Sequence, residues 1–416
     1  MATLNPRAVR GACPDLLHPM QSGDGWLVRI KPPIGGLTPV GLTALAHGAR
    51  RYGNGLIEAT ARGNLQLRGF SSASTASFAD EMIDLGLAAA EPAVERIRNI
   101  LVAPLAGDDP QAAPDCLAVA RALEEAVNEA PDLRSLPAKF GFAVDAGGLL
   151  PLHETAADVQ LWPVQGAWAV RGAGCRRALH GTAQDAVAVA LRLARACVAL
   201  FRHQGERRLR HIAERDEAAL WTAADLRPTA DASPVVSSAG QSLGSLGYGN
   251  GRGTFGLLAP FGAMDADMLV GLADLMQRIG SLSLTIGPWR SLHLRGVPDH
   301  QVAAVSAFAS DRGFVKDAHD PRQRVTACAG APACAAATVP ARHDAVVLAA
   351  VLSIHGGRVH VSGCTKGCAS STPADVTFVG HGGRYALIEA GSTVDAPVVT
   401  GLDVTAAVDY LKRHHA

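Results

Sequence analysis

The chain has 416 residues, enough for two or three domains at roughly 150 residues each. Its 38 Lys and Arg balance 38 Asp and Glu, only 18% of residues are charged and 48% are hydrophobic, which excludes the basic field of a nucleic-acid binder and the composition of a disordered chain. No stretch reaches the ~18 uninterrupted apolar residues of a bilayer span, Arg7 and Arg10 are followed by no apolar signal region, and a cytoplasmic protein without nucleic-acid or membrane partners is expected.

Residues 26–31 alternate like a strand. Thr38 and Pro39 then supply an N-cap and a first-turn proline, and Leu42, Leu45, Ala46 and Ala49 follow at helical spacing. Gly53 and Gly55 end that helix, and residues 56–60 and 65–68 read as a hairpin. A longer α/β segment occupies residues 90–220. Within it, Arg192 and Arg195 break the apolar run 186–201 into an amphipathic helix. Residues 202–215 mix Arg207, Arg208 and Arg210 with Glu206 and Glu214, the pattern of a solvated helix face. Residues 227–244, rich in Pro, Ser, Ala and Gly, are the expected linker. The order then recurs: a strand at 255–259, a helix opening near Asp265 and closing near Gly280, and strands at 282–286 and 291–295.

The recurrence is explicit in the residues. TARGNLQLRG at 60–69 and GPWRSLHLRG at 287–296 share Leu-Arg-Gly at an offset of 227. Arg96 with Ala103 and Pro104 matches Arg324 with Ala331 and Pro332 at 228, and ADVQLWPVQGAWAVRGAG from Ala157 matches ADVTFVGHGGRYALIEAG from Ala374 at 217. One unit of about 200 residues therefore occurs twice. The expected organisation is a first half-domain over 1–85, an α/β domain free of the clustered cysteines over 86–226, the linker 227–244, a second half-domain over 245–310 and a second, cluster-binding α/β domain over 311–416. The Gly-rich stretch 247–253 lacks the strand–turn–helix setting of a dinucleotide fingerprint, so no nicotinamide site is expected.

Four of the eight cysteines cluster: Cys328 and Cys334 are separated by five residues, Cys364 and Cys368 by three. Four thiolates can hold a structural zinc or a cubane iron–sulfur cluster. A five-residue gap is loose for zinc, and the small flanking residues Ala329, Gly330, Ala331, Gly363 and Gly367 let backbone amides approach inorganic sulfide, which favours a [4Fe-4S] cluster. Gly147 and Pro151 stand where the first unit would carry the second pair, so only one cluster can form. Cys13, Cys116, Cys175 and Cys197 are scattered and read as small buried hydrophobes.

The cysteine pattern and the doubled unit resemble the nitrite and sulfite reductase superfamily over nearly the whole chain. The resemblance implies an α+β, duplicated fold of two ferredoxin-like half-domains and two larger α/β domains related by a pseudo-two-fold axis. It further implies a [4Fe-4S] cluster on Cys328, Cys334, Cys364 and Cys368, with Cys368 bridging to sirohaem where a haem is bound. The family's Thr-x-Arg, Arg-Asn and Lys-Phe segments match Thr60 and Arg62, Arg98 and Asn99, and Lys139 and Phe140; a second lysine common in sulfite reductases is Gly141 here.

The motifs Gly11-Ala12-Cys13-Pro14, residues 19–25 and residues 62–69 look like the precorrin-3B synthase branch. That branch implies an oxidoreductase that hydroxylates precorrin-3A with γ-lactone formation in aerobic cobalamin biosynthesis. It would use dioxygen, the cluster, a mononuclear non-haem iron and an external reductase or ferredoxin. Arg62, Arg68, Arg98 and Lys139, with Asn64 and Gln66, are then the expected contacts to the tetrapyrrole carboxylates, since guanidinium groups bind carboxylates in a planar, bidentate fashion. Arg290 and Arg295 are their secondary counterparts. His18, His47, His153, His293, Glu58 and Asp24 are available to a second iron, but none is spaced as two histidines and a carboxylate would be. Two other readings remain: a sirohaem-dependent nitrite or sulfite reductase, and a non-enzymatic zinc or cluster scaffold.

Overall fold

The structure, a computed structural model, describes residues 13–153, 155–204, 207–231, 243–352, 357–370 and 372–414. Arg7, Arg10, Gly11, Ala12, Glu206 and residues 232–242 of the expected linker lie outside the described residues. Helix Pro39–Tyr52 begins where the sequence signals it: the Thr38 hydroxyl accepts from the Gly41 amide, and Leu42, Leu45, Ala46 and Ala49 face the core. Helix Ala266–Ile279 is its pseudo-equivalent at an offset of 227, capped by Asp265 and ended by Gly280 in the left-handed conformation. The two helices pack on each other in a core common to both half-domains.

Each half-domain sheet borrows from the other. The first runs Met20–Ser22, Gly25–Ile30, Leu65–Phe70, Leu56–Ala59 and finally Ala263–Asp265, a strand of the second unit. In that pairing Met264 lies opposite Ile57. The reciprocal bridge joins Leu37 to Leu284, each residue again 227 away from its counterpart, through two hydrogen bonds of 2.8 Å. The second sheet of this pair runs Gly244–Gly247, Arg252–Leu258, Ser291–Pro298 and Ser283–Ile286. The pseudo-two-fold axis thus runs through a fused pair, and neither half-domain closes its sheet alone.

The α/β domains flank this pair, each with its own core. The first contains parallel strands Ile100–Val102, Phe142–Val144 and Val159–Val164, continued antiparallel by Ala167–Gly172, Arg177–Gly181 and Ala230–Asp231. The second repeats the pattern with Val325–Ala327, Val359–Ser362 and Ala374–His381 parallel, then Arg384–Gly391 and Val399–Leu402. The described ends of the expected linker are therefore strands. Residues 202–215 also depart from expectation: helix Ala183–Gln204 stops and Leu209–Ala223 begins, with Arg208 between them donating to the buried Asp158 at 3.0 Å. A charged run that sequence reads as one solvated face is a helix junction anchored on a buried carboxylate. Among the described residues no helix is long and apolar enough to cross a membrane.

Candidate functional site

The cysteines stand where parallel strands deliver ligand-binding loops, just beyond the carboxyl ends of Val325–Ala327 and Val359–Ser362. The Gly363 amide donates to Cys328 Sγ at 3.1 Å, which ties one loop to the thiol of the other. Glycines make the approach feasible: a Cβ on Gly330 (φ +70°) would fall 2.3 Å from the Ala341 nitrogen, and one on Gly363 would fall 2.6 Å from Ala337 Cβ. Burial pushes the Cys328 thiol up; Cys334 and Cys364 push it the same way, and the Gly363 and Gly330 amides oppose them. Three thiols therefore share one electrostatic neighbourhood, while Cys368 is exposed.

A single tetrahedral zinc would bring its sulfurs within about 3.8 Å of one another, and among the described residues no three His, Cys, Asp or Glu side chains assemble as ligands of one ion. Soft thiol donors, an amide on sulfur and loops rich in small residues suit a cluster, whose ligands stand further apart.

Arg68 departs from its expected place. It is buried, with Nε and Nη2 on the two oxygens of Asp24 at 2.9 Å, Nη1 3.4 Å from Glu58 Oε2, and Nη2 also on Ser22 Oγ and the Ala333 carbonyl. That carbonyl, beside Cys334, accepts further from Ser22 Oγ at 2.7 Å and the Gly23 amide at 3.1 Å. All three guanidinium nitrogens are engaged by the protein, so Arg68 ties the first half-domain to the cysteine loop in place of the substrate contact that the sequence suggests. Arg295 repeats the device 227 residues later, with Asp108 held at 2.6 and 2.8 Å and the Ala106 carbonyl at 2.9 Å. Ala106 and Ala333 are themselves 227 apart. Each half-domain thus clamps the loop of the opposite unit's α/β domain.

Arg62 and Asn64 do converge, lining two adjoining hollows; Thr285, Ile286 and Arg295 of the second unit help to line the larger, and first-unit residues alone line the smaller. Arg62 is half-buried, and its guanidinium has no hydrogen bond or ion pair with the described residues. Burial lowers its pKa; the Cys13 thiol opposes that shift, and Arg208 and Arg29 add to it. Arg98 lines the larger hollow, but its guanidinium is held by Glu95 at 3.0 Å, Glu124 at 3.5 Å and the Lys31 and Leu87 carbonyls. Lys139 is half-buried between Ala138, which lines the smaller hollow, and Phe140, whose carbonyl accepts from Asn99 Nδ2 at 3.0 Å.

Sequence reading missed Arg29, Lys31, Arg96 and Cys13, all of which line the smaller hollow. Arg29 and Lys31 carried a signal: two cations two residues apart put both on one face of an otherwise apolar strand. Lys31 donates to the Arg96 carbonyl at 3.2 Å and to that of Glu95, and burial depresses its pKa to about 8 against the pull of Glu95. Cys13 is half-exposed, unlike the buried Cys116, Cys175 and Cys197.

A polar chain runs from the hollows toward the cysteines. Arg29 Nη2 donates to Gln66 Oε1 at 3.1 Å, Gln66 Nε2 donates to Glu58 Oε2 at 2.6 Å, and Arg342 donates to Glu58 Oε1. Burial would raise the Glu58 carboxyl, yet the charges of Arg342 and Arg68 hold it below the usual range. The candidates for a second iron do not assemble among the described residues. Glu58 and Asp24 are engaged as above, and His18 sits between Asp15 at 3.0 Å and Arg96 at 2.6 Å. His293 is buried on Ser291 Oγ at 2.8 Å, its pKa driven down to about 4 by burial.

The chain matches the nitrite/sulfite reductase ferredoxin-like half domain family over residues 18–85 and 249–308. It is 33% identical over 404 residues to a precorrin-3B synthase from a Sinorhizobium species, covering 93% of this chain and 84% of that one. A ferredoxin–nitrite reductase of Synechococcus elongatus is 24% identical, with 91% of this chain and 79% of the relative covered. Among solved structures, the Mycobacterium tuberculosis NirA protein shares the fold with a TM-score of 0.70 at 19% identity, over 94% of this chain and 81% of that one.

Proposed function

The chain belongs to the precorrin-3B synthase family, within the nitrite/sulfite reductase superfamily of oxidoreductases, and from that premise we propose that it converts precorrin-3A to precorrin-3B. One atom of dioxygen becomes the hydroxyl on the meso carbon between rings A and D, and the ring A acetate closes to a γ-lactone. The other atom leaves as water, with two electrons from an external reductase or ferredoxin. A [4Fe-4S] cluster on Cys328, Cys334, Cys364 and Cys368 would relay those electrons singly. No step is assigned to a second iron, for which the described residues assemble no ligand set.

The observation that carries this reading is the smaller hollow, between the first half-domain and the first α/β domain, where Arg29, Lys31, Arg62 and Arg96 meet a single carboxylate, Asp15. A precorrin bears acetate and propionate groups around a planar ring, and the Arg62 guanidinium, unpaired among the described residues and set in a partly desolvated wall, can bind one bidentately. Arg29 acts on a neighbouring carboxylate with Gln66 fixing its orientation, and Asn64 and Asn99 complete the lining. Arg98 shapes the wall by holding the Lys31 carbonyl, and Lys139 approaches from beside Ala138. Lactone closure is intramolecular from the outset, and holding the ring A acetate in one orientation favours it by restricting rotation of that side chain.

The test is anaerobic purification followed by incubation with precorrin-3A, a reductant and ¹⁸O-labelled dioxygen, with mass analysis of the product. One label in the lactone product supports the reading. A purified protein with an intense Soret band and reduction of nitrite or sulfite, without label incorporation, overturns it in favour of a sirohaem reductase.

A further inference from the structure

The turn between Ser283–Ile286 and Ser291–Pro298 holds Arg290 at φ +63°, in the left-handed region that suits glycine. The position 227 residues earlier is Gly63, at φ +68°. The second unit therefore keeps a bulky side chain where its twin has none. That side chain passes Gly262, where an added Cβ would stand 2.8 Å from Arg290 Cδ, and Nη2 donates to the Ala369 carbonyl at 2.9 Å. Ala369 directly follows Cys368. The charged groups acting on the guanidinium are Glu58, Arg342 and Cys328, so it reaches the backbone beside one cysteine pair and the thiol field of the other. Backbone strain at an arginine that hydrogen-bonds beside one pair and acts electrostatically on the other is the pattern of a functional constraint.

We infer that Arg290 is a positioning residue for the iron–sulfur cluster: it fixes the loop of residues 364–368 through the Ala369 carbonyl and holds a cation beside Cys328. The inference rests on the cluster reading above. Reduction adds a negative charge to the cluster, so a fixed cation alongside favours the reduced form and raises the midpoint potential.

Arg290→Gly separates this role from a fold-supporting one, because glycine relieves the backbone as it removes the guanidinium. The full chain is reconstituted anaerobically, and iron, labile sulfide, thermal midpoint and reduced-state EPR are recorded during a redox titration. The glycine variant is expected to melt no lower than the parent, to titrate at a more negative potential and to bleach in air roughly tenfold faster. Arg290→Lys, which keeps the charge, is expected to recover most of the potential. A glycine variant that loses its cluster while the lysine variant keeps one supports the same role. Unchanged potential and bleaching in Arg290→Gly overturn it. A parent protein that binds no iron and sulfide sinks the cluster reading instead, a distinct outcome.

Discussion

The two α/β domains solve one problem in two ways. Both must hold together the loops that leave adjacent parallel strands. In the first domain a buried carboxylate does it: Asp109 accepts from the Gln111 amide at 2.9 Å and, across to the other loop, from Leu149 at 2.7 Å. Asp145 accepts from Gly147 at 2.9 Å and Leu152 at 2.8 Å, and the Ala113 amide donates to the Ala146 carbonyl at 2.8 Å. In the second domain the equivalent space is ringed by thiols, with Gly363 on Cys328 Sγ and Thr338 on the Gly363 carbonyl crossing between the loops. The first pair of loops is complete with hydrogen bonds alone. The second places three thiols in one electrostatic neighbourhood, which under the proposed reading a metal centre would take as thiolate ligands.

That contrast can be broken or sharpened by substitution. The largest effect is expected from Cys364→Ser, which should abolish cluster assembly and turnover while the first domain stays folded; iron and sulfide analysis with circular dichroism reads both. Arg68→Met and Arg295→Met should each cost about 3 kcal/mol in chemical denaturation, because Asp24 or Asp108 loses a bidentate partner in a largely buried setting. Only Arg68→Met should also lower cluster content, since Ala333 adjoins Cys334 and Ala106 adjoins no metal ligand. Asp109→Ala should cost about 2 kcal/mol by leaving loop amides unpaired, with iron content unchanged.

Arg62→Met tests the cleft. Its guanidinium serves no partner among the described residues, so stability should hold while the KM for precorrin-3A rises roughly tenfold, about 1.4 kcal/mol of lost binding. The smallest effect is a pH dependence. Lys31, depressed to about 8 by burial, is charged below that pH and neutral above it. Its contribution to carboxylate binding is therefore present at neutral pH and lost as pH rises through about 8. KM measured from pH 7 to 9 should climb in the parent and stay flatter in Lys31→Met.

The doubled architecture was legible because Leu-Arg-Gly, the helix caps at Thr38 and Asp265 and the paired hairpins recur in order. The exchange of edge pairing between half-domains was not, since the bridge of Leu37 to Leu284 joins apolar residues that carry no pairing signal of their own. Cysteine spacing marked two loops that the structure brings together, with the Gly363 amide on Cys328 Sγ. The arginines were harder: a sequence shows a cation and hides its counter-charge. Arg68 finds Asp24 44 residues back and Ala333 265 residues ahead, and so becomes a clamp, whereas Arg62 makes no side-chain hydrogen bond or ion pair among the described residues and feels Asp158 only at longer range. Arg290 belongs with the clamps, at the cysteine loop rather than the cleft.

EPR of the anaerobically prepared protein, before and after reduction with dithionite, tests the asymmetry between the domains most directly. The oxidised protein should be EPR-silent and gain the low-temperature signal of a single reduced [4Fe-4S] cluster, lost in Cys364→Ser and retained in Asp109→Ala. A protein that carries zinc without labile sulfide, or a cluster signal that survives Cys364→Ser, contradicts it.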